Sequence, residues 1–198
     1  REVFHYHKLN DSVAADRFLG QFRKVTHAPL NVLVINFIDI LSHARTESRM
    51  VRELASNEAA YRSITLSWFK HTAIKDLFTY LASLDYDILI TTDHGSIRVD
   101  SPIKVVGDKN VNTNLRYKVG KNMGYNKKEV FEMREPEQYG LPRPNLSSNY
   151  IFAEGNKFFA YPNNYNYYVQ YYKGTFQHGG ISMEEMIIPI ITLHSKKY

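Results

Sequence analysis

Three short clusters in this sequence combine carboxylate and imidazole side chains. They are Asp39-x-x-x-His43, Asp93-His94-Gly95-Ser96 and His178-Gly179-Gly180. If a helical turn begins at Asp39, its spacing from His43 puts both side chains on one side. A carboxylate and an imidazole then converge on a cation. The glycines after His178 let backbone approach closely. Each cluster also has a plain structural reading: a satisfied polar residue at a strand end, or an Asp-His pair capping a helix. Together they form an ordered set of oxygen and nitrogen donors, which suits zinc or manganese. Cysteine is absent, which excludes disulfides, thiolate nucleophiles and Cys-type zinc sites. His5, His7, His27, His71 and His194 read as structural or exposed, none with a carboxylate at suggestive spacing.

Buried strands must carry these clusters. Val32-Leu-Val-Ile-Asn-Phe-Ile38 is almost continuously apolar and rich in β-branched residues. It reads as a strand buried on both faces, ending at Asp39. Ile88-Leu-Ile-Thr-Thr92 reads as a second, ending at Asp93. Between them the sequence predicts helices over about Glu47–Arg62 and Ser67–Leu84. The second helix carries a stripe of Phe69, Ala73, Leu77 and Leu81. Strand, helices, strand is the order of an α/β fold. Crevices at the carboxyl ends of its parallel strands are where such sheets bind ligands.

The rest is less regular. Ser12–Leu19 suggests a short helix. Residues 96–148 hold short alternating pieces, 103–106 and 115–119, then a Pro-rich loop from Glu135, and read as a small β-rich cap or insert. Tyr150–Ala153 and Lys157–Tyr161 flank Glu154-Gly155-Asn156, which predicts a hairpin. Tyr161–Tyr172 is rich in Tyr and Asn; it reads as Tyr packing at a domain edge, or as a stacking surface for nucleic acid. Ser182-x-x-Glu185 is a capping box that opens a short helix, Pro189 ends it, and Ile190–Leu193 is a last strand. The net charge is +5, with 25 Lys and Arg against 20 Asp and Glu. Lys and Arg between Arg98 and Lys128 form a strip that faces phosphate or simply solvent. Arg116 and Lys118 alternate there with Leu115, Tyr117 and Val119, so they are the candidate phosphate contacts. No apolar run approaches a membrane span of roughly 20 residues.

The set Asn36-Phe-Ile-Asp-Ile-Leu-Ser-His43, Thr91-Thr-Asp-His-Gly-Ser96 and Gln177-His-Gly-Gly-Ile-Ser-Met-Glu184 resembles the alkaline phosphatase superfamily. Within it, the chain resembles PglZ domains, most of all the effector domains of type IX secretion response regulators. The resemblance implies a mostly parallel sheet with flanking helices. It also implies two zinc ions, with Asp39, His43 and His178 at one and Asp93 and His94 at the other. The second site would also take an Asp and a nucleophilic Thr or Ser from upstream of the Asp-x3-His motif. Thr26 is the nearest Thr, but no apolar strand is read before it. The chain is therefore expected to be the C-terminal part of a PglZ domain, incomplete and inactive alone. A receiver domain and the first part of the PglZ domain would lie upstream.

The function expected from this resemblance is hydrolysis of a phosphodiester, such as an oligonucleotide or cyclic nucleotide, in a cytoplasmic response regulator that dimerises on receiver phosphorylation. The alternative is a regulatory docking module with structural metals that binds a signalling partner protein. A mutase-like enzyme shares the metal pattern.

Overall fold

The computed structural model describes residues 4–25, 28–84, 86–107 and 111–195. Thr26 and His27 lie outside them. The chain divides into two compact units. Unit 1 is Arg1–Ile90 with Ile191–Tyr198, and unit 2 is Thr91–Ile190.

Unit 1 opens with β1 (Phe4–Leu9), a strand that the polar alternation Phe-His-Tyr-His-Lys-Leu concealed. The Asp11 carboxylate accepts from Ala14 N at 2.7 Å and starts α1 (Ser12–Val25), longer than expected. β2 (Leu30–Ile35) then pairs parallel to β1, from Phe4↔Leu30 to Leu9↔Ile35. Its middle is half-buried rather than fully covered.

Three helices follow where two were expected, with another beyond them. α2 (Phe37–Glu47) begins as soon as β2 ends. α3 (Arg49–Leu54) starts where Val51 N donates to Ser48 Oγ, and α4 (Glu58–His71) where Ala60 N donates to Asn57 Oδ1 at 2.9 Å. These caps set the helix starts that apolar periodicity alone misplaced. The last predicted helix is interrupted at Thr72, whose backbone is extended, and resumes as α5 (Ala73–Ser83). The stripe survives the break. Ala73, Ile74 and Leu77 are buried with Leu9, Phe18 and Phe22, and Phe69 and Leu81 pack alongside. β3 (Ile88–Thr91) then leads towards unit 2.

Unit 2 is β-rich. β4 (Ile97–Arg98), β5 (Ser101–Lys104), β6 (Tyr117–Gly120) and β7 (Val130–Met133) come first. A 3-10 turn at Pro136–Tyr139 lies in the Pro-rich loop. β8 (Asn149–Ala153), β9 (Lys157–Ala160), α6 (Tyr165–Tyr172), β10 (Phe176–Gln177) and α7 (Met183–Met186) complete it. β8 sits between β6 and β7, antiparallel to both. β9 instead pairs parallel with β5. The predicted hairpin is thus corrected: Gly155, with φ +51°, turns the chain from one sheet into another. β9 is covered on both faces. Phe159 enters a core with Ile103, Val105 and Ile151, while Phe158 enters one with Val99 and Ala160. Tyr165, Val169 and Tyr172 of α6 pack on the second core, so part of the Tyr-rich stretch is packing. β10 pairs antiparallel with β4.

The chain returns through β11 (Ile190–Leu193), which pairs with β3. Among the described residues the pairings make five small sheets, in an architecture of mixed helices and small sheets. Two pairings, β1–β2 and β5–β9, are parallel. Short links in unit 2 favour antiparallel neighbours, because a parallel pair needs a long crossover.

Candidate metal centre

In unit 1, α2 carries Asp39 in its first turn and His43 one turn later. The His43 ring Nε2 lies 3.5 Å from Asp39 Oδ1, with side chains 68% and 41% exposed. The pairing predicted from the spacing is therefore present on one helical face. Tyr61 on α4 holds this turn. Its hydroxyl donates to Ile38 O and bonds Ser42 Oγ, both at 2.8 Å. Ile38 immediately precedes Asp39, and Ser42 immediately precedes His43. Burial raises the Tyr61 phenol above its usual range, opposed by the Ser42 hydrogen bond. Phe37 stacks on Trp68 of α4 at 4.4 Å, which anchors the start of α2. Sequence reasoning did not single out Tyr61, and no spacing rule links it to Asp39.

In unit 2, Asp93 and His94 follow β3. The His94 backbone N–H donates to Asp93 Oδ1 at 3.1 Å, and Thr92 Oγ1 donates to His94 O at 3.0 Å. The Asp93 side chain is 89% exposed. His94 Nδ1 lies 2.9 Å from Gly95 O. A carbonyl only accepts, so Nδ1 donates this bond, and Nε2 is the nitrogen left to face a ligand. The rings of His94 and His178 stack at 3.9 Å and 12°. Two clusters far apart in sequence thus meet within one unit.

The donor chemistry fits a borderline divalent cation: carboxylate oxygens and imidazole nitrogens. Among the described residues, no group of three or more His, Asp or Glu side chains converges to hold a metal ion. The structure shows Asp39 with His43, and His94 with both Asp93 and His178.

Arg116 and Lys118, the candidate phosphate contacts, are both inside unit 2. Arg116 is 0% exposed and Lys118 1%. Arg116 donates Nε and Nη2 to the two oxygens of Glu185, at 2.9 and 2.7 Å, and Nη1 to Lys157 O. Lys118 Nζ donates to Asn112 O at 2.8 Å and sits 4.4 Å over the Tyr161 ring. Burial pulls its ammonium down to about 8. Sequence alternation put them on an open strip, whereas unit 2 encloses both. The capping box is present, with Ser182 N donating to Glu185 Oε2 at 3.1 Å. His194, read as partnerless, has its Nδ1 2.6 Å from Asp87 Oδ1, an exposed pair that only the fold brings together.

No curated protein matches the chain. Residues 3–193 match the family described as the BREX system PglZ alkaline phosphatase-like domain. The match spans nearly the whole chain and includes all three clusters. This chain belongs to the PglZ family of alkaline phosphatase-like domains.

Proposed function

We propose that this chain is part of a zinc-dependent phosphohydrolase domain that acts on phosphodiesters such as oligonucleotides or cyclic nucleotides. The observation that carries the reading is membership of an alkaline phosphatase-like family over residues 3–193. The ordered carboxylate and imidazole donors agree with it. Asp39, His43 and His178 would hold one ion, and Asp93 and His94 part of a second. Bound divalent ions supply positive charge that polarises a phosphoryl oxygen during in-line displacement. Asp39 and Asp93 bring negative charge to the cations. The proton on His94 Nδ1 stays with Gly95 O, leaving Nε2 to ligate. Tyr61 holds the turn that carries Asp39 and His43.

The nucleophile in this reading is a Thr hydroxyl. The intact protein would be a cytoplasmic PorX-like response regulator of type IX secretion, dimerising when its receiver domain is phosphorylated. No helix among the described residues is long and apolar enough to cross a membrane. The second reading follows from the family description, a role in a BREX system.

The test is metal analysis and turnover of bis(p-nitrophenyl) phosphate by the intact protein. Asp93→Ala and His94→Ala are expected to abolish turnover and to lower bound zinc. Full activity in either variant sinks the mechanism. Two bound metals with no turnover on any phosphoester favour a docking module instead.

A further inference from the structure

One carboxylate joins both histidine loops of unit 2. Glu185 Oε1 accepts from Arg116 Nε at 2.9 Å and from Gly180 N at 2.8 Å. Its Oε2 accepts from Arg116 Nη2, Ser182 N and Ser182 Oγ at 2.7, 3.1 and 2.7 Å. Through its backbone, Glu185 O accepts from Gly95 N at 2.9 Å. The side chain thus holds the loop that follows His178, and the main chain holds the residue next to His94. Neither glycine leaves room for a side chain. A Cβ on Gly95 would lie 1.9 Å from Glu184 O, and one on Gly180 2.8 Å from both Glu185 Oε2 and Arg116 Nη2.

The capping box alone needs only the Ser182 contacts. It does not explain why the carboxylate is 2% exposed, or why it faces a fully buried guanidinium. Burial alone would raise the Glu185 carboxyl. The Arg116, Ser182 and Gly180 donors outweigh that and hold it below the ordinary range. The carboxylate stays ionised and keeps all its acceptor positions engaged.

We infer that Glu185, clamped by Arg116, is a positioning residue that fixes the stacked His94–His178 pair and so sets the metal affinity of this half of the centre. The metal part of this inference rests on the proposed function above; the ring geometry does not. Outer contacts of this kind typically control metal affinity by about 10- to 100-fold.

The experiment uses the intact protein. Glu185→Gln puts an NH₂ where every neighbour is a donor. Glu185→Asp keeps the charge but withdraws the carboxylate. Glu184→Gln, at the exposed neighbour, is the control. Circular dichroism reports folding, imidazole ¹H–¹⁵N correlation of the metal-free chain reports the ring contact, and competition with a chromophoric chelator reports zinc affinity. Both Glu185 variants are expected to fold, to shift the His94 and His178 ring signals while those of His43 and His71 stay, and to weaken zinc binding about 10- to 100-fold. Glu184→Gln is expected to match the parent. Folded Glu185 variants with unchanged His94 and His178 signals overturn the inference. Unfolding of both variants also overturns it, because that is a purely structural role. A parent chain that binds no zinc refutes the metal reading alone, and the ring signals still decide the positioning role.

Discussion

Replacing Arg116 with Met tests how unit 2 tolerates its buried charge. In the parent, the Arg116 and Glu185 side chains are 0% and 2% exposed and meet through two charge-assisted hydrogen bonds. Arg116→Met removes one partner and leaves the Glu185 carboxylate buried. Breaking such a pair costs about 3–5 kcal/mol. For a chain of this length, 1 kcal/mol moves Tm by about 2–4 °C, so the expected fall is roughly 6–20 °C. The double variant Arg116→Met/Glu185→Leu removes the orphaned charge and is expected to lose less than the single variant. Urea unfolding of the four proteins at neutral pH gives the coupling energy directly. A value below about 0.5 kcal/mol, the scatter of independent sites, refutes the argument. The pH dependence gives a second check. The folded-state Glu185 carboxyl is held below its ordinary value. Its contribution is therefore present above the unfolded value of about 4.3 and is lost as pH falls through the lower folded value. Removing Arg116 takes away the largest contribution that lowers the folded value, so that value moves up towards the unfolded one and the stability lost on acidification is expected to shrink.

Four further outcomes follow from other residues. Gly95→Ala drives a Cβ to 1.9 Å from Glu184 O and is expected to cost about 2–4 kcal/mol through overpacking and a lost hydrogen bond. Gly20→Ala, in α1 with nothing within 4 Å, is expected to stabilise by up to about 1 kcal/mol; both are read by thermal melts. Lys118 is lowered to about 8 in the fold, so between there and about 10.4 the unfolded chain binds more protons and stability rises with pH. Lys118→Met is expected to flatten that rise in urea midpoints taken from pH 8 to 10. Tyr61→Phe loses the bonds to Ile38 O and Ser42 Oγ and is expected to cost about 1–2 kcal/mol by urea unfolding, with the His43 ring signal displaced.

What the sequence revealed depended on how local the determining forces are. Asp39 and His43 share a face because helical spacing is local. The Ser182–Glu185 box was legible for the same reason. The stripe from Phe69 to Leu81 was legible as a core face, yet the helix break at Thr72 inside it was not. Strand pairing is set by distant partners. Nothing near Gly155 signals that β8 and β9 join different sheets. Lys118 lies in β6 as the alternation implied, but Arg116 precedes that strand, and its fate depends on Glu185, 69 residues away. β1 was hidden because His5, His7 and Lys8 dilute its apolar signal, and its pairing with β2 supplies what propensity does not. The stacking of His94 on His178 joins two clusters that the sequence could only place in order.

The meeting of the two ends of unit 2 has a consequence for chain entropy. β3 and β11 pair, Thr91 Oγ1 donates to Pro189 O at 2.9 Å, and Gly95 N reaches Glu185 O. The residues between form a closed excursion whose ends are tied at one neck. Closing such a loop becomes only slowly costlier with length, by about 0.6 kcal/mol for each doubling. Segments inserted at the open turns around Gly140 or Gly155, where no heavy atom lies within 4 Å of an added Cβ, therefore load the neck very little. The excursion can grow or shrink at those turns while His94 and His178 remain beside the tie that brings them together.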